Sequence, residues 1–100
     1  ATVIASFGDQ ATADLYHGAR TRRARSFPAD LAQAALRKLD MLNAGHTLSD
    51  LRSPPGNRLE RLRGKWKRFH SIRVNEQWRI VFRWSEGQAH DVRLLDYHRG

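Results

Sequence analysis

The seven residues Trp78-Arg79-Ile80-Val81-Phe82-Arg83-Trp84 alternate large apolar side chains with mainly basic ones. A period of two places Trp78, Ile80, Phe82 and Trp84 on one face of a strand, with Arg79, Val81 and Arg83 on the other. A helix would scatter the four large apolar groups around its circumference, so this segment is a strand with one face to bury. Phe69 to Val74 repeats the alternation, with His70, Ile72 and Val74 opposed to Phe69, Ser71 and Arg73. Asn75-Glu76-Gln77 joins these two strands, Ser85-Glu86-Gly87 makes the next turn, and Ala89 to Asp96 forms a last strand. The three form an antiparallel meander that needs a second layer.

The N-terminal half supplies that layer. Leu31, Ala35, Leu39 and Leu42 recur at spacings of four, four and three, which makes one apolar helical stripe. Ser26 and Pro28 give start signals, Asp30 complements the helix dipole, and Gly45 is a natural stop. Val3 to Phe7 reads as a short edge strand, and Ala11 to His17 as two helical turns stopped by Gly18. Arg20 to Arg25 lacks apolar periodicity and reads as a loop. Thr47-Leu48-Ser49-Asp50 resembles a capping box with Asp in place of Glu, giving a single turn through Leu51 that Pro54-Pro55-Gly56 ends. The expected architecture is α+β, one domain over residues 1–100, with N-terminal helices packed on one face of a twisted antiparallel sheet.

Composition narrows the partner. The chain carries 18 Lys plus Arg against 10 Asp plus Glu, a formal charge of +8, and 15 of the 18 cations are Arg. With 40% hydrophobic residues in 100, the chain has enough for one modest core. No apolar run approaches the ~20 residues of a membrane span. Zero cysteines exclude disulfides, a thiolate zinc site and a Cys nucleophile. Such charge suits nucleic acid, an anionic membrane or an acidic protein, and Arg favours phosphate because its planar fork binds oxygens in pairs. No basic stretch has an apolar face opposite it, which counts against a membrane surface. The start Ala1-Thr2-Val3-Ile4 has no secretory character, so the expected location is the cytoplasm.

From Arg52 to Arg73 there are eight cations and one anion, Glu60, with Trp66, Phe69 and His70 interleaved. Basic groups among flat rings suit single-stranded nucleic acid; a solvated, aggregation-resistant edge is the other explanation. Arg79 and Arg83, beside Arg73 across the turn, stand on the strand face away from the aromatics and could clamp a phosphate. Glu60 either pairs with Arg61, Arg63 or another cation, or acts as a general base towards a ribose 2′-hydroxyl. Asp96, Tyr97 and His98 bring acceptor, donor and proton-shuttle groups to the C-terminal end. His17, His46 and His90 lie in separate segments without metal-ligand spacing, so no metal site and no cofactor are expected.

The run Asn57-Arg58-Leu59-Glu60-Arg61-Leu62-Arg63-Gly64, then Ser71-Ile72-Arg73-Val74-Asn75-Glu76-Gln77-Trp78-Arg79-Ile80-Val81-Phe82-Arg83-Trp84, and the closing Asp96-Tyr97-His98, resemble the HigB branch of the RelE/ParE superfamily of bacterial toxins. The likeness extends from about Ile4 to His98. It implies a compact α+β domain and a toxin of a type II toxin–antitoxin system. Such a toxin is a metal-independent endoribonuclease that enters the ribosomal A site and cuts messenger RNA by 2′-hydroxyl attack, arresting translation and growth. On this resemblance the catalytic residues are Glu60, Arg79, His98, Tyr97 and Asp96. Arg79 meets the phosphate, His98 is the acid for the leaving 5′-oxygen, and Glu60 matches the Glu base of the related YoeB toxins where some HigB toxins carry His. The resemblance matches Arg63 to a residue that holds the backbone, and with the charge pattern the expected RNA-binding set is Arg58, Arg61, Arg63, Lys65, Lys67, Arg68, Arg73 and Arg83. Lys65-Trp66-Lys67-Arg68-Phe69-His70 departs from the family's usual G-D-x-x-G-x-(Y/W) pattern. The implied partner is a HigA-type helix-turn-helix antitoxin. Two other readings are a ParE-like gyrase poison, set apart by lacking the Glu/Arg/His set, and a basic RNA- or DNA-binding module without catalysis.

Overall fold

The computed structural model describes residues 3–97. Helices α1 (Gln10–Tyr16), α2 (Arg22–Arg25) and α3 (Ala29–Ala44) precede strands β1 (Glu60–Arg61), β2 (His70–Arg73), β3 (Trp78–Ser85) and β4 (Gln88–Asp96). Short 3₁₀ turns cover Leu48–Arg52, Pro55–Asn57 and Gly64–Trp66. The sheet runs β1-β2-β3-β4 in antiparallel order, a continuous meander.

Register decides which face is buried. Ile72, Ile80 and Leu94 lie side by side across β2, β3 and β4. With Phe82 and Val92 they form one core with Leu31, Ala35, Leu39 and Leu42 of α3. Trp78 and Trp84 pack at its margins, Trp78 edge-on against Phe27 at 5.9 Å between ring centroids. Each large apolar side chain buried here contributes about 1.5–3 kcal/mol. The α+β reading and both periodicities are therefore realised.

The edge beyond β4 is closed by the N-terminal segment. Val3 to Phe7 was expected as an edge strand; it makes two isolated parallel bridges, Ile4 to Ala89 and Phe7 to Val92. Thr12, buried in α1, accepts the Leu94 N–H at 3.0 Å and so covers the next free donor of β4. Asp9 caps α1 by accepting from Thr12 N, so the helix begins one residue earlier than the apolar pattern indicates.

Residues 20–25, expected as a loop, contain α2. Thr21 caps it by accepting from Ala24 N, and Asp14 accepts from the Thr21 hydroxyl at 2.7 Å and from Arg23 Nε at 3.3 Å. Only Ala24 of this helix is buried, so no apolar periodicity could have announced it. The capping box at Thr47 and Asp50 is present, with Asp50 accepting from the backbone of His46 and Thr47.

Candidate active site

Arg79 sits on the rung Arg73–Arg79–Leu95, one residue out of phase with the core rung Ile72–Ile80–Leu94, and so points away from the helices. The sequence suggested that this face would be open. It is not: Arg79 is only 8% exposed, and Val81 is fully buried. The 57–66 stretch folds back over this face, so that Arg58 meets Arg79 of β3 and Trp66 meets Arg93 of β4. Tyr97 closes the Arg79 end.

The guanidinium is held on several sides. Its Nε donates to Ser71 Oγ at 2.7 Å, and Nη2 donates to the Arg58 carbonyl at 2.6 Å. Nη2 also lies 4.0 Å from Glu60 Oε2, and the group stands 5.7 Å from the Tyr97 ring centre. Burial pulls its pKa below the usual arginine value, while Glu60 and Tyr97 pull it back up; the group stays cationic at neutral pH. A fixed, largely dehydrated cation of this kind is suited to stabilising charge on an oxyanion.

Each neighbour is placed by local chemistry. Glu60 pairs with Ser71 in the β1–β2 ladder and keeps a side chain 51% exposed, so it can reach a ligand. Its ionic partner is Arg79; no ion pair joins it to Arg61 or Arg63. Arg58 adopts the left-handed conformation, φ 45°, at the end of the Pro55–Asn57 turn. The turn is anchored by buried Asn57, whose Nδ2 donates to the Leu51 carbonyl at 3.1 Å and whose Oδ1 accepts from Lys38 Nζ at 2.5 Å. Sequence reading gave no role to Ser71 or Asn57. Both were visible only as small polar residues beside an Arg rung or a Pro-rich turn, and their partners come from distant segments.

Beside Glu60 a cleft of about 500 Å³ is lined by Glu60, Arg61, Leu62, Arg63, Lys65, Trp66 and Tyr97. A second hollow of about 360 Å³ lies against Arg61, Leu62, Arg63, Gly64 and Lys67. The short β1 and the turn after it thus carry exposed cations towards two adjoining hollows. His70, partly buried and stacked on Phe82 at 6.3 Å, has its pKa lowered, first by burial and then by Arg61.

Not every expected residue converges here. Arg73 donates to the Asn75 carbonyl at 3.2 Å while remaining on the Arg79 rung. Arg83 pairs with Asp91 at 3.4 Å. It lies four residues along β3 from Arg79, about 13 Å at ordinary strand rise. Asp96 is the ladder partner of Trp78 and accepts from Gln77 Nε2 at 2.7 Å, so strand alternation directs it to the helix side. Arg68 is exposed and lines neither hollow. His98 lies outside the described residues. Among the described residues, no cluster of three His, Cys, Asp or Glu has metal-binding proximity, and no helix is long and apolar enough to cross a membrane.

Known proteins resemble this chain over most of its length. The model of the HigB-like toxins, the RelE-like toxins of the type II toxin–antitoxin system HigB, matches residues 5–98. Toxin HigB-1 of Vibrio cholerae is 46% identical over 78 residues, covering 78% of this chain and 81% of that protein. An uncharacterised protein of Haemophilus influenzae is 41% identical over 71 residues, covering 71% of this chain and 69% of that protein. The α+β fold, the match over nearly the whole chain and the similarity to a HigB toxin lead to one conclusion: the chain belongs to the HigB-like toxins of type II toxin–antitoxin systems, within the RelE-like group.

Proposed function

We propose that the chain is a ribosome-dependent messenger RNA endoribonuclease that works without a metal ion. The observation carrying this reading is the Arg79 guanidinium, pinned by Ser71 and the Arg58 carbonyl and 4.0 Å from the exposed carboxylate of Glu60. Glu60 takes the proton of a ribose 2′-hydroxyl, and the 2′-oxygen attacks the adjacent phosphorus. Arg79 stabilises the added negative charge, in the role a metal ion fills in other nucleases. The bond to the 5′-oxygen breaks, and His98 supplies that oxygen's proton. The products are a 2′,3′-cyclic phosphate and a free 5′-hydroxyl.

Binding is assigned to the cations of the cleft and its margin. Arg61, Arg63 and Lys65 neutralise phosphates, while Trp66 and the exposed Tyr97 offer rings to unstacked bases. A type II toxin has an antitoxin partner; we assign this one to the HigA type, and the site of cutting to the ribosomal A site in the cytoplasm.

Primer extension on cellular messages after induction tests the reading. Expected are cuts within translated frames that disappear when translation is blocked and when Arg79 is replaced by Ala. Growth arrest without message cleavage overturns it; cleaved DNA in that case points to gyrase.

A further inference from the structure

Gly8 has no conformational need to be glycine, since its φ lies outside the left-handed region. Its backbone N–H is fixed to the Val92 carbonyl at 2.7 Å, which sets it flush against β4. A Cβ built there would come within 2.4–2.6 Å of Arg93 Nη2, Nε and Cζ. The guanidinium of Arg93 therefore lies across a bare backbone. The same guanidinium stands 5.0 Å from the Trp66 ring centre, and Trp66 packs edge-on against Phe69 at 5.0 Å. Both Arg93 Nε and Trp66 Nε1 are buried without a hydrogen-bond partner. Burying two donors unpaired is costly, and the cation–ring contact offsets that cost and sets where the indole lies.

We infer that Gly8, Arg93 and Trp66 form a three-layer stack through which the N-terminal segment fixes the Trp66 wall of the RNA cleft. Gly8 and Arg93 are positioning residues: they act on RNA through Trp66. The role in RNA binding rests on the function proposed above; the stack itself does not. Trp66 follows Lys65 directly and Arg63 by three, so a displaced indole moves the cations that meet phosphate.

The test uses the full-length protein labelled with 5-fluorotryptophan, whose three fluorine resonances report Trp66, Trp78 and Trp84 separately once Trp66→Phe assigns the first. Gly8→Ala and Arg93→Ala are each expected to move the Trp66 resonance while Trp78 and Trp84 stay in place. Affinity for a short single-stranded oligoribonucleotide, read by fluorescence anisotropy, should fall about tenfold in each. The double variant Gly8→Ala with Arg93→Ala should bind no worse than Arg93→Ala alone, because the clash needs the guanidinium. Arg93→Ala introduces no clash, so it carries the test if Gly8→Ala fails to fold. An unmoved Trp66 resonance overturns the stack, as do additive losses in the double variant. A moved resonance with unchanged RNA affinity keeps the stack and overturns its link to binding. Absence of RNA binding by the unmutated protein overturns that link together with the proposed function.

Discussion

Arg79 Nε donates to Ser71 Oγ at 2.7 Å, joining the start of β3 to β2 on the face away from the helices. Ser71 is fully buried, so its hydroxyl has no water to fall back on. Ser71→Ala leaves a buried charged donor with one partner fewer, and the expected destabilisation is about 1–3 kcal/mol by urea unfolding. Message cleavage should fall as well, because the guanidinium gains freedom to turn. Unchanged stability would show that Arg79 needs no anchor on β2.

Arg79→Lys keeps the charge and loses the fork. A lysine that donated to both Ser71 and the Arg58 carbonyl would keep one N–H for a phosphate where the guanidinium keeps three in a fixed plane. Cleavage should fall at least ~100-fold, close to the loss in Arg79→Ala. Circular dichroism of both variants checks that the sheet persists. Lysine activity near that of the unmutated protein would reduce the role of Arg79 to charge alone.

His70 gives the protein a pH-dependent stability. Its folded pKa is lowered from 6.5, first by burial and then by the Arg61 charge. Below that value the unfolded chain binds a proton that the folded chain resists, so stability drops as pH falls from 6.5 towards the folded pKa. His70→Phe removes the titration and keeps a ring against Phe82. Denaturant midpoints at pH 7 and about pH 5.5 should differ less in the variant than in the parent. Equal differences would show that His70 does not carry the acid sensitivity between those two pH values; Asp14, whose pKa is lowered from 3.8 chiefly by hydrogen bonds from Gln10 and Thr21, acts only at lower pH.

What the sequence disclosed follows from what repeats along it. The alternation around Ile80 and the stripe through Leu39 report a two-layer core because apolar burial repeats with the element's own period. The site is different in kind. Arg79 was expected to meet a phosphate on an open face, yet it is buried, because its neighbours Arg58, Glu60 and Tyr97 come from outside the alternating run that holds it. Two-residue β1 lies inside a tract whose charge hides its pairing with β2. The parallel bridges of Ile4 and Phe7 likewise depend on β4, some 85 residues away in sequence.

RNA affinity should fall steeply with salt, and Arg63→Ala tests one contact of the cleft. For single strands each neutralised phosphate adds about 0.7 to the slope of log K against log salt. Removing Arg63 should flatten that slope by about 0.7 without changing which message positions are cut. An identical slope would place Arg63 outside the phosphate path.

Glu60→Gln separates catalysis from binding. The side chain is half exposed and lies 4.0 Å from the Arg79 guanidinium, too far for a hydrogen bond, so its amide should disturb neither the fold nor the guanidinium, which Ser71 and Arg58 continue to hold. An amide cannot accept the 2′-hydroxyl proton, and cleavage should fall at least ~100-fold. Affinity for a single-stranded oligoribonucleotide should be unchanged or tighter, because a negative charge beside the phosphate path is gone. That pairing of slower cutting with undiminished binding distinguishes a base from an ion-pair partner. If Glu60 served only to steady Arg79, Gln would lower cleavage no more than Ser71→Ala does. If RNA binding and cutting fall together, the carboxylate holds the site's shape, and the base is another residue.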